Sequence, residues 1–140
     1  MIMAENDDQA RAAHALQTIR DLDKLGRDKY GKYVSYVSAL PAQIIINGLG
    51  QALATLMAAG GRGKKQHDPH YMLYLSIANW LMVRFPEWEI KDGNIVIDRL
   101  VQGNQDTYLR AQAESLAYLN WLKKFARGIL EEVSEQEGDQ

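Results

Sequence analysis

The sequence predicts an all-α fold, a compact single-domain bundle of about five to six helices with a long C-terminal helix. Three observations carry that expectation. Apolar residues recur at helical spacing along most of the chain, and neither an alternating strand series nor an internal repeat interrupts them. A length of 140 residues with 46% hydrophobic and 24% charged side chains suits one globular core rather than two. The whole of 1–140 is therefore expected to form one domain, with acidic ends at 1–8 and 134–140 fraying.

In chain order, Ala12, Ala15, Leu16, Ile19 and Leu22 share one face of a first helix, while Arg20, Lys24 and Arg27 gather on another. Gly26 and Gly31 punctuate its end. Tyr30, Tyr33, Val34, Tyr36 and Val37 predict a second helix that stops before Pro41, because proline lacks the N–H a helix interior needs. Pro41 suits the first turn of a third helix. Its apolar face is Ile45, Leu49, Ala52, Leu53 and Leu56, and Asn47 and Gln51 lie on the other side. Gly48 falls inside that helix, where glycine costs about 1 kcal/mol relative to alanine. Close approach of another helix is the expected reason for it.

Gly60 to Gln66, with three glycines in four residues and then two lysines, predicts a loop. Residues 70–84 form a fourth helix that is apolar on nearly every side, and so either central or covered by a partner. Pro86 and Asp92-Gly93-Asn94 are turn signals. Ile95 to Ile97 fits the start of a strand about as well as a short helix with Asp98, Leu100 and Val101. The last helix is expected from about Asp106, an N-cap or first-turn acid, to Glu132. Its core face collects Ala111, Tyr118, Leu122, Phe125, Ala126, Ile129 and Val133.

Composition excludes several function classes. Without cysteine there is no disulfide scaffold, cysteine-based zinc site, iron–sulfur cluster or thiol nucleophile. No apolar run approaches the roughly 18 residues of a membrane span. The opening residues are acidic and polar rather than basic then apolar, so a cytoplasmic location is expected. The net charge of −2 hides an asymmetry. Three acids stand within residues 1–10 and five within 128–140, leaving residues 11–127 with 16 basic and 10 acidic side chains. A basic body between acidic ends can bind polyanions.

The most informative surface is the back of the last helix, where Arg110, Asn120, Lys123, Lys124 and Arg127 project within an arc of about 140°. Such a face suits a phosphate backbone, since each contact releases condensed counterions. Glu114 sits at its edge, in register to pair with Arg110. Leu109, Leu116 and Trp121 lie in or beside the arc and suggest that protein also covers it. Elsewhere the motifs are weaker. Gly61-Arg62-Gly63-Lys64-Lys65 departs from a phosphate loop, having Ala58 for the first glycine, Lys65 for the hydroxyl and a helix instead of a strand before it. His67 and His70 lack a third ligand in register, so no metal is expected. Arg62 and His67 match the Arg-x4-His spacing of helical ribonucleases of the HEPN class, in which the histidine is general base and the arginine steadies the phosphate. That alternative would want a helix where this chain has a glycine-rich loop. No triad or carboxylate pair is evident, so no enzyme and no cofactor is expected.

Tyr36 to Leu56 (YVSALPAQIIINGLGQALATL) and Tyr108 to Gly128 (YLRAQAESLAYLNWLKKFARG) resemble the small all-helical subunit family of the Cmr complex, the type III-B CRISPR–Cas effector. The specific parts are the Leu-Pro…Ile…Asn-Gly-Leu-x-Gln-x-Leu-Ala and Tyr-x-Arg-Ala…Trp-Leu-Lys-x-Phe-Ala elements. The resemblance implies a non-catalytic subunit in antiviral defence. Several copies would stack in a filament beside the CRISPR effector backbone subunits, lining the groove where guide RNA and target RNA pair. It carries Arg110, Lys123 and Arg127 over as RNA contacts. Charge and periodicity add Arg11, Arg20, Lys24, Lys64, Lys65 and Lys124. A helical adaptor without RNA contact is a further alternative.

Overall fold

The computed structural model describes residues 6–65 and 67–131, apart from the side chain of Arg62. Among these residues seven α-helical segments follow one another: α1 (Asp7–Leu25), the single turn α2 (Arg27–Tyr30), α3 (Tyr33–Asn47), α4 (Leu49–Ala59), α5 (Pro69–Arg84), α6 (Val96–Gln102) and α7 (Gln105–Ile129). Three 3-10 turns, Gly61–Gly63, Pro86–Trp88 and Gly93–Ile95, link the later helices. No strand occurs among the described residues, so Ile95 to Ile97 resolves to helix. There the Asp92 carboxylate accepts the Asn94 N–H at 2.9 Å, and the chain turns into α6, which buries Val96 and Leu100.

Side-chain caps set three helix starts. Asn6 accepts from Gln9 N–H at 2.7 Å, Asp68 from His70 N–H at 2.8 Å, and Asn104 from Thr107 N–H at 2.8 Å. Asp7 and Asp8, expected in a frayed end, stand in the first turn of α1, where the helix dipole favours acids. Residues 1–5 and 132–140, Val133 among them, lie outside the described residues.

Two boundaries differ from expectation. Pro41 does not open a helix but lies inside α3. The roughly 3 kcal/mol that an interior proline costs is outweighed by an apolar stripe running through it, Tyr33, Val34, Val37, Leu40 and Ile44, all buried. Gly48 is not mid-helix: at φ +87° it divides α3 from α4, a conformation that favours glycine. The expected close approach is real, because a Cβ at Gly48 would stand 3.0 Å from the Tyr108 hydroxyl of α7. The same stretch of α7 satisfies the N–H groups that α4 leaves open. Leu49 N–H donates to Gln112 Oε1 at 3.0 Å and Gly50 N–H to the Tyr108 hydroxyl at 2.8 Å. With the chain redirected there, Ile45 leaves its expected core face and is 70% exposed, beside Ile46 at 78%.

The all-round apolar α5 is the central helix, touching α1, α3, α4, α6 and α7. It buries Leu73, Tyr74, Ile77, Ala78, Trp80 and Leu81. Its polar atoms find partners: Ser76 Oγ lies 2.8 Å from the Tyr33 hydroxyl, and the Tyr74 hydroxyl donates to Gly93 O at 2.7 Å. Burial pushes the Tyr74 phenol up to about 12. α7 buries Ala111, Tyr118, Leu122 and Ala126 as periodicity predicts, together with Ser115 and Leu119, while Phe125 and Ile129 are half-buried. α1 packs more extensively on α7 than on any other element.

Candidate functional site

The outer surface of α7 carries the expected basic residues. Arg110, Asn120, Lys124 and Arg127 are exposed and Lys123 is half-buried. Arg127 Nε donates to Ser38 Oγ of α3 at 3.2 Å, which ties the C-terminal end of this face to the neighbouring helix. The Arg110 guanidinium sits 5.1 Å above the centre of the Phe85 ring, a cation–π contact of about 0.5–1 kcal/mol at an exposed site. Fourteen residues at 1.5 Å each separate Arg110 from Lys124 by about 21 Å. The apolar residues beside the face are mostly accounted for within the chain. Leu116 and Trp121 pack against the core, Trp121 donating its indole N–H to Asp8 at 3.0 Å, and Leu109 alone of the three is exposed.

Glu114 does not pair with Arg110. Its side chain is only 10% exposed; it accepts hydrogen bonds from two residues of two other helices and forms an ion pair with a third. Arg11 of α1 donates to it twice, at 2.8 and 3.0 Å, and the Trp80 indole of α5 donates at 2.9 Å. Arg84 Nε, at the end of α5, is 3.4 Å away. Burial alone would push this carboxyl up, but the donated hydrogen bonds of Arg11 and Trp80 and the charges of Arg11 and Arg84 outweigh it and hold the group below the usual carboxylate range. Donation to Glu114 correspondingly raises Arg11 above its ordinary value, against the desolvation that lowers it. Arg84 reaches on to Asp7 with both terminal nitrogens, at 3.3 and 3.2 Å. A cleft of about 240 Å³ opens here, lined by Arg11, Arg84, Phe85, Arg110, Ala113 and Glu114.

The structure thus brings Arg11 and Arg110 to one cleft and leaves the other candidates apart. Arg20 and Lys24 are exposed on α1, Lys24 lying 3.8 Å from Asp21. Lys64 and Lys65 are exposed in the α4–α5 loop. His67 adopts φ +64° and lines a cavity of about 340 Å³ between α1 and α5, floored by Leu22, Leu25, Met72 and Leu75. Its proposed companion, the Arg62 side chain, lies outside the described residues. His70 Nδ1 is 3.1 Å from the Asp68 carboxylate, and its ring stacks on Tyr36 at 4.0 Å. No group of three metal-ligating side chains occurs among the described residues. No helix among them is long and apolar enough to cross a membrane.

Arg84 and Trp80 are the site residues that sequence reasoning missed. Trp80 was hidden in an apolar run. For Arg84 the available signal was a lone basic residue closing an otherwise uncharged helix, together with a lone acid, Glu114, on an otherwise basic face.

Comparison with known proteins agrees with the fold. The model of a family described as CRISPR-associated protein (Cas_Cmr5) matches residues 7–129. The X-ray structure of a CRISPR-associated Cmr5 family protein from Thermus thermophilus superposes with a TM-score of 0.71 at 24% sequence identity, covering 91% of this chain and 99% of that one.

Proposed function

The chain belongs to the Cmr5 family of CRISPR-associated proteins, and on that footing we propose that it is a non-catalytic structural small subunit of a type III-B CRISPR ribonucleoprotein. Several copies stack head to tail beside the backbone subunits that hold the CRISPR RNA. The basic face of each copy lines the groove where guide and target RNA pair. The observation that carries this proposal is the outer surface of α7, where Lys123, Lys124 and Arg127 stand with no acid in the last eleven helical residues, Leu119 to Ile129. A guide-based complex delegates sequence reading to base pairing, so its proteins need only backbone contacts and shape. Lysines and arginines spread over one helix face suit that task without an aromatic stacking platform. Arg20, Lys24, Lys64, Lys65 and Arg110 belong to the same proposed interface, whereas Arg11, expected there from charge and periodicity, is held by Glu114 and Asp8 and serves as frame. Head-to-tail stacking needs two different complementary patches on each copy, and exposed Ile45, Ile46 and Leu109 are available for one of them.

The test is a gentle pull-down of the tagged chain from its own cells, with mass spectrometry and RNA sequencing of what accompanies it. The expected result is recovery of CRISPR backbone subunits with repeat-tagged guide RNA. A parallel variant with Lys123, Lys124 and Arg127 all changed to glutamate should assemble less RNA, and the salt slope of target binding should fall by about 0.7–0.9 for each phosphate no longer neutralised. Recovery of the chain alone, or only with itself, sinks the proposal. So does a triple reversal that leaves assembly and target binding unchanged at every salt concentration.

A further inference from the structure

The cleft between the end of α5 and the N-terminal half of α7 holds three arginines against one carboxylate, but the three are not equivalent. Arg11 is engaged at all three nitrogens: its Nε and Nη2 both donate to Glu114, and its Nη1 is 3.4 Å from Asp8. Its guanidinium is therefore part of the frame. Arg84 is anchored through Nε to the same carboxylate, while among the described residues its terminal fork is engaged only by Asp7, whose side chain is 63% exposed. An exposed pair of that kind is worth little, about 0–1 kcal/mol. Arg110 has its guanidinium over the Phe85 ring, is exposed, and makes no ion pair or side-chain hydrogen bond among the described residues. Two guanidiniums with weakly held or open forks thus border one cavity of about 240 Å³.

Planar forks of this type match phosphate oxygens bidentately and more strongly than neutral donors do. Resting on the proposed RNA-lining role, we infer that this cleft is a seat for a single phosphodiester, ligated by Arg84 and Arg110. Glu114 and Arg11 position Arg84 without touching the ligand. Asp7 occupies the Arg84 fork in the free protein and gives it up to the incoming phosphate. The seat lies about 21 Å from Lys124 along the same helix. It would anchor one point of a nucleic-acid strand whose remaining phosphates meet the C-terminal half of α7. A carboxylate from a protein partner is the competing occupant. Phosphate is favoured because Arg110 is shared between the cleft and a helix surface that carries no acid from Leu119 to Ile129.

The experiment uses the intact chain with dimethyl phosphate as probe, followed by NMR at the arginine Nε–Hε resonances, and then short RNA binding across a salt series. Dimethyl phosphate should move Arg84 and Arg110 and leave Arg11 in place. Arg84→Gln should weaken RNA binding several-fold and lower the salt slope by about 0.7–0.9, the value of one phosphate contact. Arg84→Lys should restore part of the slope. The distinctive outcome is Asp7→Asn, which removes the competing carboxylate and should tighten binding of the probe about two- to threefold, consistent with the small worth of an exposed pair. The inference is overturned if the probe leaves both arginines unmoved, or if Asp7→Asn does not tighten its binding. It is equally overturned if acetate moves the arginines more than the diester does, or if Arg84→Gln blocks recovery of protein partners with RNA affinity intact. In each of those cases the triple reversal on α7 still tests the structural-subunit role separately.

Discussion

Replacing Glu114 by glutamine should be the most costly conservative change available on the polar side of α7. The side chain keeps its shape and one acceptor oxygen, so the Trp80 indole at 2.9 Å can still be satisfied. What disappears is the negative charge facing Arg11 at 2.8 Å and Arg84 at 3.4 Å. Removing one partner of a buried ion pair typically costs about 3–5 kcal/mol, because the other charge is left uncompensated. Arg84 is about one-third exposed and retains Asp7, so solvent screening reduces its share. The net expectation is a loss of about 2–3 kcal/mol. At about 3–4 °C per kcal/mol for a domain of this size, Tm should fall by roughly 6–12 °C. Urea unfolding followed by circular dichroism at neutral pH reads this as a lower midpoint with an unchanged slope. A double-mutant cycle with Arg11→Gln should give a coupling above about 1 kcal/mol. The pH dependence supplies a second check. The folded carboxyl lies below its ordinary 4.5, so its stabilisation is complete above the unfolded value and is lost as pH falls through the folded one. The gap between wild type and E114Q should therefore close in acid. A loss below about 1 kcal/mol at neutral pH, or additive single mutants, would refute the picture of Glu114 as the shared acceptor that joins three helices.

Further consequences can be measured on the isolated chain. His14, half-buried with Nδ1 2.7 Å from the Tyr118 hydroxyl and its ring edge-on to Trp80, is held below its ordinary 6.5 by desolvation. Stability should therefore drop as pH falls from 6.5 toward the folded value, because the unfolded chain binds that proton first; an imidazole titration midpoint at or above 6.5 contradicts this. Gly60→Ala should cost at least about 1–3 kcal/mol, since its Cβ would stand 2.6 Å from Tyr71 Cβ and 2.7 Å from Tyr71 N; a chemical-denaturation midpoint within error of wild type contradicts that. Ser115 is fully buried and its hydroxyl has no hydrogen-bond partner among the described residues, so Ser115→Ala should raise stability by about 0.5–1 kcal/mol, and a lower Tm would show that the hydroxyl is satisfied after all.

Much of the fold was legible because helical periodicity is a local property. The stripe Ala111, Tyr118, Leu122 and Ala126 could be read from spacing alone, and the all-round apolar character of α5 marked its central position. The errors occurred where the deciding partner is remote in sequence. Gly48 looks like a helix-interior glycine until Tyr108 and Gln112, about 60 residues on, are seen to cap the helix that starts after it. Pro41 looks like a helix start until the buried stripe through it is seen to carry α3 past it. The site follows the same rule. The basic residues of α7 were visible as composition on one face, but Glu114 offered only its i−4 neighbour Arg110 to a sequence reader. Its actual donors, Arg11 and Trp80, come from elements 103 and 34 residues away. That distinction decides which arginine is structural and which is free to bind.

The docking of α1 on α7 has a consequence for biosynthesis. Its defining bonds, Arg11 to Glu114, His14 to Tyr118 and Thr18 to Tyr118, span 100 residues or more. Closing so long a loop carries an entropic cost that no early contact repays. At translation rates of about 5–20 residues per second, the apolar face of α1 (Ala15, Ile19 and Leu22) waits on the order of ten seconds before α7 leaves the ribosome to cover it. During that interval the nascent chain presents an amphipathic helix with its main partner still unmade, a natural substrate for ribosome-associated chaperones. A circular permutant that places α7 directly before α1 should fold with less dependence on them.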